Sequence, residues 1–495
     1  KVMEPFLLGI LGAMTPENLV YALSGCLLGT LVGVLPGIGP VSCIAILFPF
    51  TTYLPPTGMI IALASIYFGA MYGGSTTAIL MNVPGEISAV VTAMDGHKMT
   101  KKGRPGPALA MAAIVSFMAG IAGATFVAIS GPTVARLALH FGPAEYLALA
   151  LFSLTATASL SGRSLIRGGI VTVIGLILVT VGYDSSSDFG RLTFGSETLI
   201  EGFSIAPVMI GLFGIGEMLR IYEQKIGSSE KVKIGKLMPN RQELRDGLAA
   251  GRRATLWGIP LGILPGMLPS VTSFLAYSFE KQRSKTPEKF GKGAIEGVAS
   301  AEAANNAAAM SNLLPLMTLG IPTGPSMALI LGALMVYGLM PGPMLFTLHA
   351  DFTWTVIGSF FVANIILLIL NLPLVGLWAR IATIPHGILA PIVLVLCLVG
   401  SFSLRTSFFD LWVCVIFGLI GWAVSRANWP LAPLCLAYVL GPIIEESARQ
   451  VGHLGYGLLL ERPIFWFFIF LCGVSIWLTR RMWAKTQAEL ANSEH

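Results

Sequence analysis

The sequence is poor in charge and lacks the spaced motifs of several enzyme classes. Only 11% of its 495 residues are Asp, Glu, Lys or Arg, less than half the share that soluble domains carry. The six cysteines have no Cys-x-x-Cys spacing and the six histidines form no cluster, so we expect no disulfide framework, no transition-metal site and no cofactor. No His-Glu-x-x-His, Walker lysine motif or Gly-x-Ser-x-Gly elbow occurs. The sequence therefore favours a protein that is not an enzyme.

Hydrophobic residues are abundant instead. They make up 55% of the chain, with a mean hydropathy of +0.78, which predicts an all-α polytopic membrane protein with the lipid bilayer as its surroundings. The net charge is +6. The basic residues lie in loops between apolar runs, where Lys and Arg indicate which side of the membrane each loop occupies. We expect no nucleic-acid partner.

Apolar runs of about 17–25 residues are needed to cross a bilayer as helices. With the interrupted segments described next, we expect about 11–12 spans. The uninterrupted candidates lie near 108–130, 144–160, 168–182, 203–219, 353–379, 387–401, 408–425, 431–444 and 463–479.

Two short motifs occur twice and in the same order. The segment VLPGIGP at 34–40 returns as ILPGMLP at 263–269, and NVPGEIS at 82–88 returns as GIPTGPS at 320–326. Proline and glycine end helices, and irregular backbone survives at membrane depth only inside protein or a wet cavity. We therefore predict an internal repeat in which each half has a Pro-Gly hairpin and a discontinuous helix.

The repeat divides the chain. The hairpins are predicted at 19–50 and 254–279, as re-entrant hairpins or as pairs of short spans, and the broken spans at 57–96 and 293–337. The predicted units are a first repeat at 1–219, a cytoplasmic connector at 220–253, a second repeat at 254–450, and a final span with a cytoplasmic tail at 451–495.

Loop charge predicts that the two repeats are inverted. Most of the 31 Lys and Arg residues fall in alternate loops and at the C-terminus, which the positive-inside rule places in the cytoplasm. The loop at 50–58 after the first hairpin has no Lys or Arg, whereas the loop at 281–292 after the second is basic. Inverted repeats with broken helices are typical of secondary transporters.

The hairpin tips are candidate anion sites, because helix N-termini present unpaired amides and a positive dipole end. A tight turn required only for packing would explain the same motif. The candidates at and after the tips are Pro36, Gly37, Ser42, Pro265, Gly266, Ser270 and Thr272.

Small polar residues cluster before and within the second motif of each half. Amide and hydroxyl oxygens suit an alkali cation, and their N–H and O–H groups suit carboxylates; close helix packing is the alternative explanation. The candidates are Gly74, Ser75, Thr76, Thr77, Asn82, Asn305, Asn306 and Thr323. Sodium ligands are expected among all of the predicted site residues, which include Glu302 and those of the hairpin tips.

Two acidic residues fall at membrane depth, where charge is costly. Glu302 can hold a cation, relay a proton or cap a half-helix. Glu86 follows a Pro-Gly break and can be a proton site or a helix cap.

Taken together, the segments at 33–40, 72–76, 82–86 and 302–306 resemble the large permease subunit of the bacterial tripartite tricarboxylate transporters, and the resemblance covers essentially the whole chain. It implies secondary active uptake of a citrate-like di- or tricarboxylate across the inner membrane, commonly driven by sodium, by an elevator-like alternating-access mechanism. It also implies a small four-span membrane subunit and a periplasmic solute-binding protein as partners. Proton coupling through Glu302 or Glu86 is the alternative; an intramembrane enzyme and a passive channel are less favoured.

Overall fold

The computed structural model describes residues 3–35, 38–160, 164–184, 188–224, 234–381 and 386–493. These residues form helices, connecting turns and one antiparallel pair of strands, β1 (Gly182–Asp184) and β2 (Phe189–Arg191). Six of the described helices are long and apolar enough to cross a membrane, or seven if one bent pair is counted as a span. A largely helical polytopic membrane protein is therefore confirmed, while the count of 11–12 spans stays a prediction.

The first half opens with a bent pair of helices whose axes differ by 74°. Proline is the first residue of four of the first six helices, where its missing N–H would have no helical partner. The helices are α1 (Met3–Ala13), α2 (Pro16–Gly33), α3 (Pro40–Thr51), α4 (Pro56–Met81), α5 (Ala89–Lys101), α6 (Pro105–Ala138), α7 (Pro143–Leu160), α8 (Leu165–Val179), α9 (Ile205–Met209), a π-helical segment (Ile210–Ile215) and α10 (Gly216–Gln224).

The second half repeats the order of hairpin, long buried helix, loop, short helix and long helix. Its elements are α11 (Arg241–Ile263), α12 (Pro269–Arg283), α13 (Ile295–Ser311), α14 (Leu313–Leu319), α15 (Pro325–Val336), α16 (Leu345–Leu348), α17 (Ala350–Asn371), α18 (Val375–Ile381), α19 (His386–Arg405), α20 (Phe408–Arg426), α21 (Ala432–Leu454) and α22 (Pro463–Ser493).

The backbone supports this correspondence at the ends of the two long buried helices. Helix α4 ends at Asn82 (φ 57°), and the helix that continues α13 ends at Gly320 (φ 69°), both in the left-handed conformation that commonly stops a helix. The succession of elements agrees with an internal repeat. The opposite membrane orientation of the two copies and the re-entrant course of the hairpins stay predictions.

The halves pack reciprocally around α4 and α13. Helix α6 of the first half lies along α13, and α17 of the second half lies along α4. Close approach requires glycine at one crossing, because a Cβ on Gly123 would lie 2.7 Å from the Cβ of Met310. At the other crossing, Phe68 and Phe360 pack edge to face with ring centroids 5.6 Å apart. The two halves therefore share one buried interior.

The remaining helices form two groups at the periphery of this interior. Helices α7 and α8 pack along α21, and α22 packs along α7. On the other side, α20 and α19 pack with the π-helical segment beside α3. Bidentate hydrogen bonds from Arg191 to Glu445 tie the strand pair to α21, and this contact lowers the pKa of the Glu445 carboxyl.

One boundary differs from the predicted ones. Helix α11 begins at Arg241, inside the segment predicted as connector (220–253), so the first arm of the second hairpin starts before residue 254. The cause is a capping box. The side chain of Asn240 accepts from the backbone N–H of Glu243 at 2.8 Å, and the side chain of Glu243 accepts from the backbone N–H of Asn240 at 3.0 Å. The predicted break in 57–96 falls in the loop at 82–88, because α4 is continuous through Tyr72 and Gly74.

Candidate functional site

The two long buried helices carry polar side chains that water does not reach. Burying a polar group is costly unless a hydrogen bond replaces its water, so each of these groups needs a partner or a ligand. On α4, Tyr72, Ser75 and Thr76 follow the helical spacing i, i+3, i+4 and share one face. On α13, Glu302, Asn305 and Asn306 have the same spacing, and all six residues are buried.

Glu302 is the centre of one polar cluster that joins three helices. Its carboxylate is fully buried and accepts hydrogen bonds from Thr92 of α5 and, at 3.4 Å, from Ser116 of α6. Asn306 donates to the Ser116 hydroxyl at 2.8 Å and to the Glu302 carbonyl at 3.0 Å. The side-chain NH₂ of Asn306 therefore donates both of its hydrogen bonds to protein groups.

A small cavity of about 10 Å³ lies beside this carboxylate, which is room for about one water-sized sphere. Two buried polar atoms on its wall have no hydrogen-bond partner among the described residues: the Tyr72 hydroxyl and the Asn371 Oδ1. Such atoms are rare in folded proteins and indicate a ligand or a water. The wall is formed by Tyr72, Ser75, Thr76, Leu109, Ala112, Ala113, Ser116, Glu302, Asn371 and Val375.

A second buried carboxylate, that of Glu86, lies in the loop between α4 and α5. One of its oxygens accepts from the Ser88 hydroxyl and, at 2.9 Å, from the Asn305 amide. The Asn305 Oδ1 is buried without a partner in the described part of the chain. The side-chain NH₂ of Asn305 therefore donates to the Glu86 carboxylate, and the Asn305 Oδ1 remains available to another group.

Gly74 lets this loop pass directly over α4. A Cβ on Gly74 would lie 2.9 Å from the Glu86 Cγ, and the Gly85 amide donates to the Gly74 carbonyl at 3.4 Å. A Cβ on Gly39, at the start of α3, would lie 3.9 Å from the Gly85 carbonyl oxygen. The loop at 82–88 therefore lies against the tip of the first hairpin.

The second half has the same arrangement. The Gly266 amide, at the hairpin tip with φ 78°, donates to the Thr323 carbonyl at 3.0 Å. A Cβ on Gly324 would lie 2.9 Å from a methyl group of Leu268. The Thr323 hydroxyl is buried and has no partner in the described residues. Each hairpin tip thus meets the loop that follows the long buried helix of its own half.

The other predicted residues do not join one cluster. Pro36 and Gly37 lie outside the described residues. Ser42 and Pro265 are buried, Ser270 is half-buried, and Thr77 and Thr272 donate to carbonyls of their own segments, Gly74 at 3.2 Å and Leu268 at 3.3 Å. Asn82 is exposed and ends α4. A binding role for each of these residues stays a prediction.

Three polar residues of the Glu302 cluster and its cavity were absent from the predicted site: Thr92, Ser116 and Asn371. Their helices contain other polar residues as well, and none of the three belongs to a local motif. Tyr72 belonged to a predicted motif but not to the predicted site. An asparagine or serine within a long apolar span is a usable signal, because burying it unpaired is costly.

Comparisons with known proteins give a family and two relatives. The family model described as "Tripartite tricarboxylate transporter TctA family" matches residues 19–436. The chain is 44% identical over 451 residues to an "Uncharacterized 52.8 kDa protein in TAR-I ttuC′ 3′ region" of Agrobacterium vitis, covering 91% of this chain and 90% of that protein. It is 45% identical over 200 residues to an "Uncharacterized protein in TAR-II ttuC′ 3′ region" of the same organism, covering 40% and 83%. No solved structure gives a significant match.

Proposed function

Because the chain belongs to the tripartite tricarboxylate transporter TctA family, we propose that it is the permease for sodium-coupled uptake of a di- or tricarboxylate across a bacterial inner membrane. A multi-pass transporter rather than an enzyme is what the family and the apolar helices support. In this proposal the C-terminus is cytoplasmic. A periplasmic binding protein delivers the substrate, and a small four-span subunit completes the complex.

The cavity beside Glu302 is the observation that carries the cation coupling. Its polar wall combines one carboxylate with hydroxyl and amide oxygens, the hard ligands that alkali cations accept. A buried carboxylate is unfavourable without a counter-charge, and the cavity has room for one small ion. One monovalent cation would neutralise Glu302 and partner the free oxygens of Tyr72 and Asn371.

The carboxylate substrate is then expected outside this cavity, because Glu302 would repel it. Neutral hydroxyls and helix N-termini at the hairpin tips can bind an anion without a buried positive charge. The two hairpins, α4, α13 and α6 pack as one group, while α7, α8, α21 and α22 form another. This division supports an elevator in which the first group moves against the second.

Proton coupling is the second candidate, and the hydrogen bonds of Glu302 and Glu86 favour it. Each carboxylate accepts from a hydroxyl group, of Thr92 or Ser88, that can reorient. A carboxyl group kept neutral by a proton would also satisfy burial. The two candidates differ in the ion that must accompany the substrate.

The test is uptake of radiolabelled citrate, malate and succinate into right-side-out vesicles that carry all three components, with sodium and proton gradients imposed separately. We expect uptake driven by sodium, and Glu302→Gln should reduce it at least ~10-fold, equivalent to about 1.4 kcal/mol. The control is Glu446→Gln, an exposed position. Uptake that follows only the proton gradient would replace sodium coupling, and uptake of none of the three acids would contradict the proposed function.

A further inference from the structure

The loops at the two hairpin tips correspond residue by residue. Both begin at the left-handed residue that ends a long buried helix, Asn82 or Gly320, and both have proline two positions later. Both lie against the tip of their own half. Counting from these anchors, Glu86 in the first loop corresponds to Gly324 in the second, and Ser88 corresponds to Ser326.

The first loop supplies its own anion. The Glu86 carboxylate is buried and accepts hydrogen bonds from Ser88 and Asn305. Glu86 directly follows Gly85, whose carbonyl lies by Gly39 at the start of α3, and it is three residues before α5 begins. Helix N-termini attract negative charge. This carboxylate therefore fills the anion position of the first tip permanently and would repel the carboxylate of a substrate.

The second loop has a serine, Ser326, at the position of Ser88, and it has no acidic residue at the position of Glu86. Gly324 has no side chain, and the N-terminal ends of α12 and α15 meet there, since a Cβ on Gly324 would lie 2.9 Å from the Leu268 side chain. Neither helix has a side-chain cap. Among the described residues the Thr323 hydroxyl, 1% exposed, has no partner. The hydroxyl of Ser326, 8% exposed, makes no hydrogen bond within that part of the chain either.

We propose that the second tip holds a carboxylate group of the substrate where the first half holds the side chain of Glu86, with Thr323 and Ser326 as hydroxyl donors and the ends of α12 and α15 as amide donors. This inference rests on the proposed uptake of a carboxylate. It assigns the two tips different tasks: the second binds the substrate anion, and the first is closed by its own carboxylate. Substrate and cation then occupy separate positions.

A charge swap at one position tests this assignment. Gly324→Glu places a resident carboxylate in the second loop, and Gly324→Gln has the same size without the charge, so both meet Leu268 alike. Citrate uptake is measured in the complete three-component vesicles with a sodium gradient, at protein levels matched by quantitative blotting. We expect Gly324→Glu to lose at least ~10-fold more kcat/KM than Gly324→Gln, since the resident carboxylate would repel the substrate and take its charge-assisted hydrogen bonds.

Ser326→Ala carries the test if both Gly324 variants fail to fold. We expect its KM for citrate to rise about 10-fold while its half-saturating sodium concentration is unchanged, and Ser326→Thr should restore part of the affinity. The control is Ser359→Ala, a buried serine whose hydroxyl donates to the Val356 carbonyl at 2.6 Å within α17.

The outcomes separate this inference from the proposed function. Normal uptake by the wild type, with equal losses in the two Gly324 variants or an unchanged KM in Ser326→Ala, overturns the substrate position at the second tip alone. Absence of carboxylate uptake by the wild type overturns the proposed function, and the inference with it.

Discussion

Tyr72 and Asn371 place two polar atoms beside Glu302 that the described protein leaves without a partner. Folded proteins rarely retain such atoms, because each costs about 1–3 kcal/mol. Hydrogen bonds within the described protein therefore do not account for these two oxygen atoms, and the proposed cation would be their partner. Loss of a hydroxyl that binds the cation should change the sodium dependence of uptake without lowering the thermal stability. Loss of a hydroxyl that makes a hydrogen bond within the protein should lower the thermal stability instead.

Tyr72→Phe removes one of these atoms and leaves the ring in place. We expect the half-saturating sodium concentration for citrate uptake to rise about 10-fold, because one ligand to a charged group is lost. The melting temperature should stay the same or rise, since no protein hydrogen bond is broken.

Tyr337→Phe is the matched control. Its hydroxyl donates to the carbonyls of Thr52 at 2.8 Å and Leu54 at 2.6 Å, so we expect lower thermal stability and an unchanged sodium dependence. A sodium dependence in Tyr72→Phe equal to that of the wild type would remove Tyr72 from the cation site.

At the scale of elements, α5 joins the two halves through residues one turn apart. Thr92 donates to Glu302, while Asp95 accepts from the amides of Gly293 at 2.7 Å and Ala294 at 2.8 Å and from the Tyr277 hydroxyl at 2.8 Å. Asp95 is fully buried. It fixes the start of α13 and, through that helix, the position of Glu302.

Asp95→Asn keeps the size of this side chain and places an amide donor among three donors. We expect a loss of about 2–4 kcal/mol in unfolding free energy, because a charged acceptor is removed from buried donors. Thermal unfolding of the purified protein in detergent measures this.

Asp246→Asn is the control for Asp95→Asn. Asp246 lies at the surface and accepts from Gln242 at 2.9 and 3.0 Å one turn away on the same helix, an interaction of about 0.2–0.5 kcal/mol. Equal melting temperatures for both variants would show that Asp95 does not anchor α13.

Local signals predicted the elements better than the contacts between them. Proline, glycine and the length of an apolar run can each be recognised within a single segment of the sequence. They therefore indicated the hairpins, the breaks and the buried polar faces of α4 and α13. Ser116 and Glu302 are 186 positions apart, and Ser116 lies among apolar residues that gave no sign of its partner. Asp95 lies at the end of the predicted broken span (57–96), next to His97 and Lys98, and nothing in that segment indicated that it contacts the start of α13.

At the scale of the whole molecule, the repeated order of elements is seen in the structure, while the opposite orientation of the repeats rests on loop charge. The loop after the first hairpin lacks Lys and Arg, and the loop after the second contains several. The positive-inside rule assigns such loops to opposite faces. Inverted repeats therefore predict that these two loops lie on opposite faces of the membrane, which chemical labelling of each loop can test.

Single cysteines decide the orientation. Five native cysteines are buried and Cys472 is partly exposed. We therefore expect little maleimide labelling of native cysteines in the Cys472→Ser variant, which serves as the parent protein. Tyr53→Cys and Lys285→Cys then place one thiol in each exposed loop. Leu348→Cys places one at the exposed end of α16, in a segment (337–351) without Lys or Arg. We expect a membrane-impermeant maleimide to label positions 53 and 348 in right-side-out vesicles and position 285 only in inside-out vesicles. Labelling of positions 53 and 285 from the same face would contradict inverted repeats, and the two hairpin tips would then enter from one side.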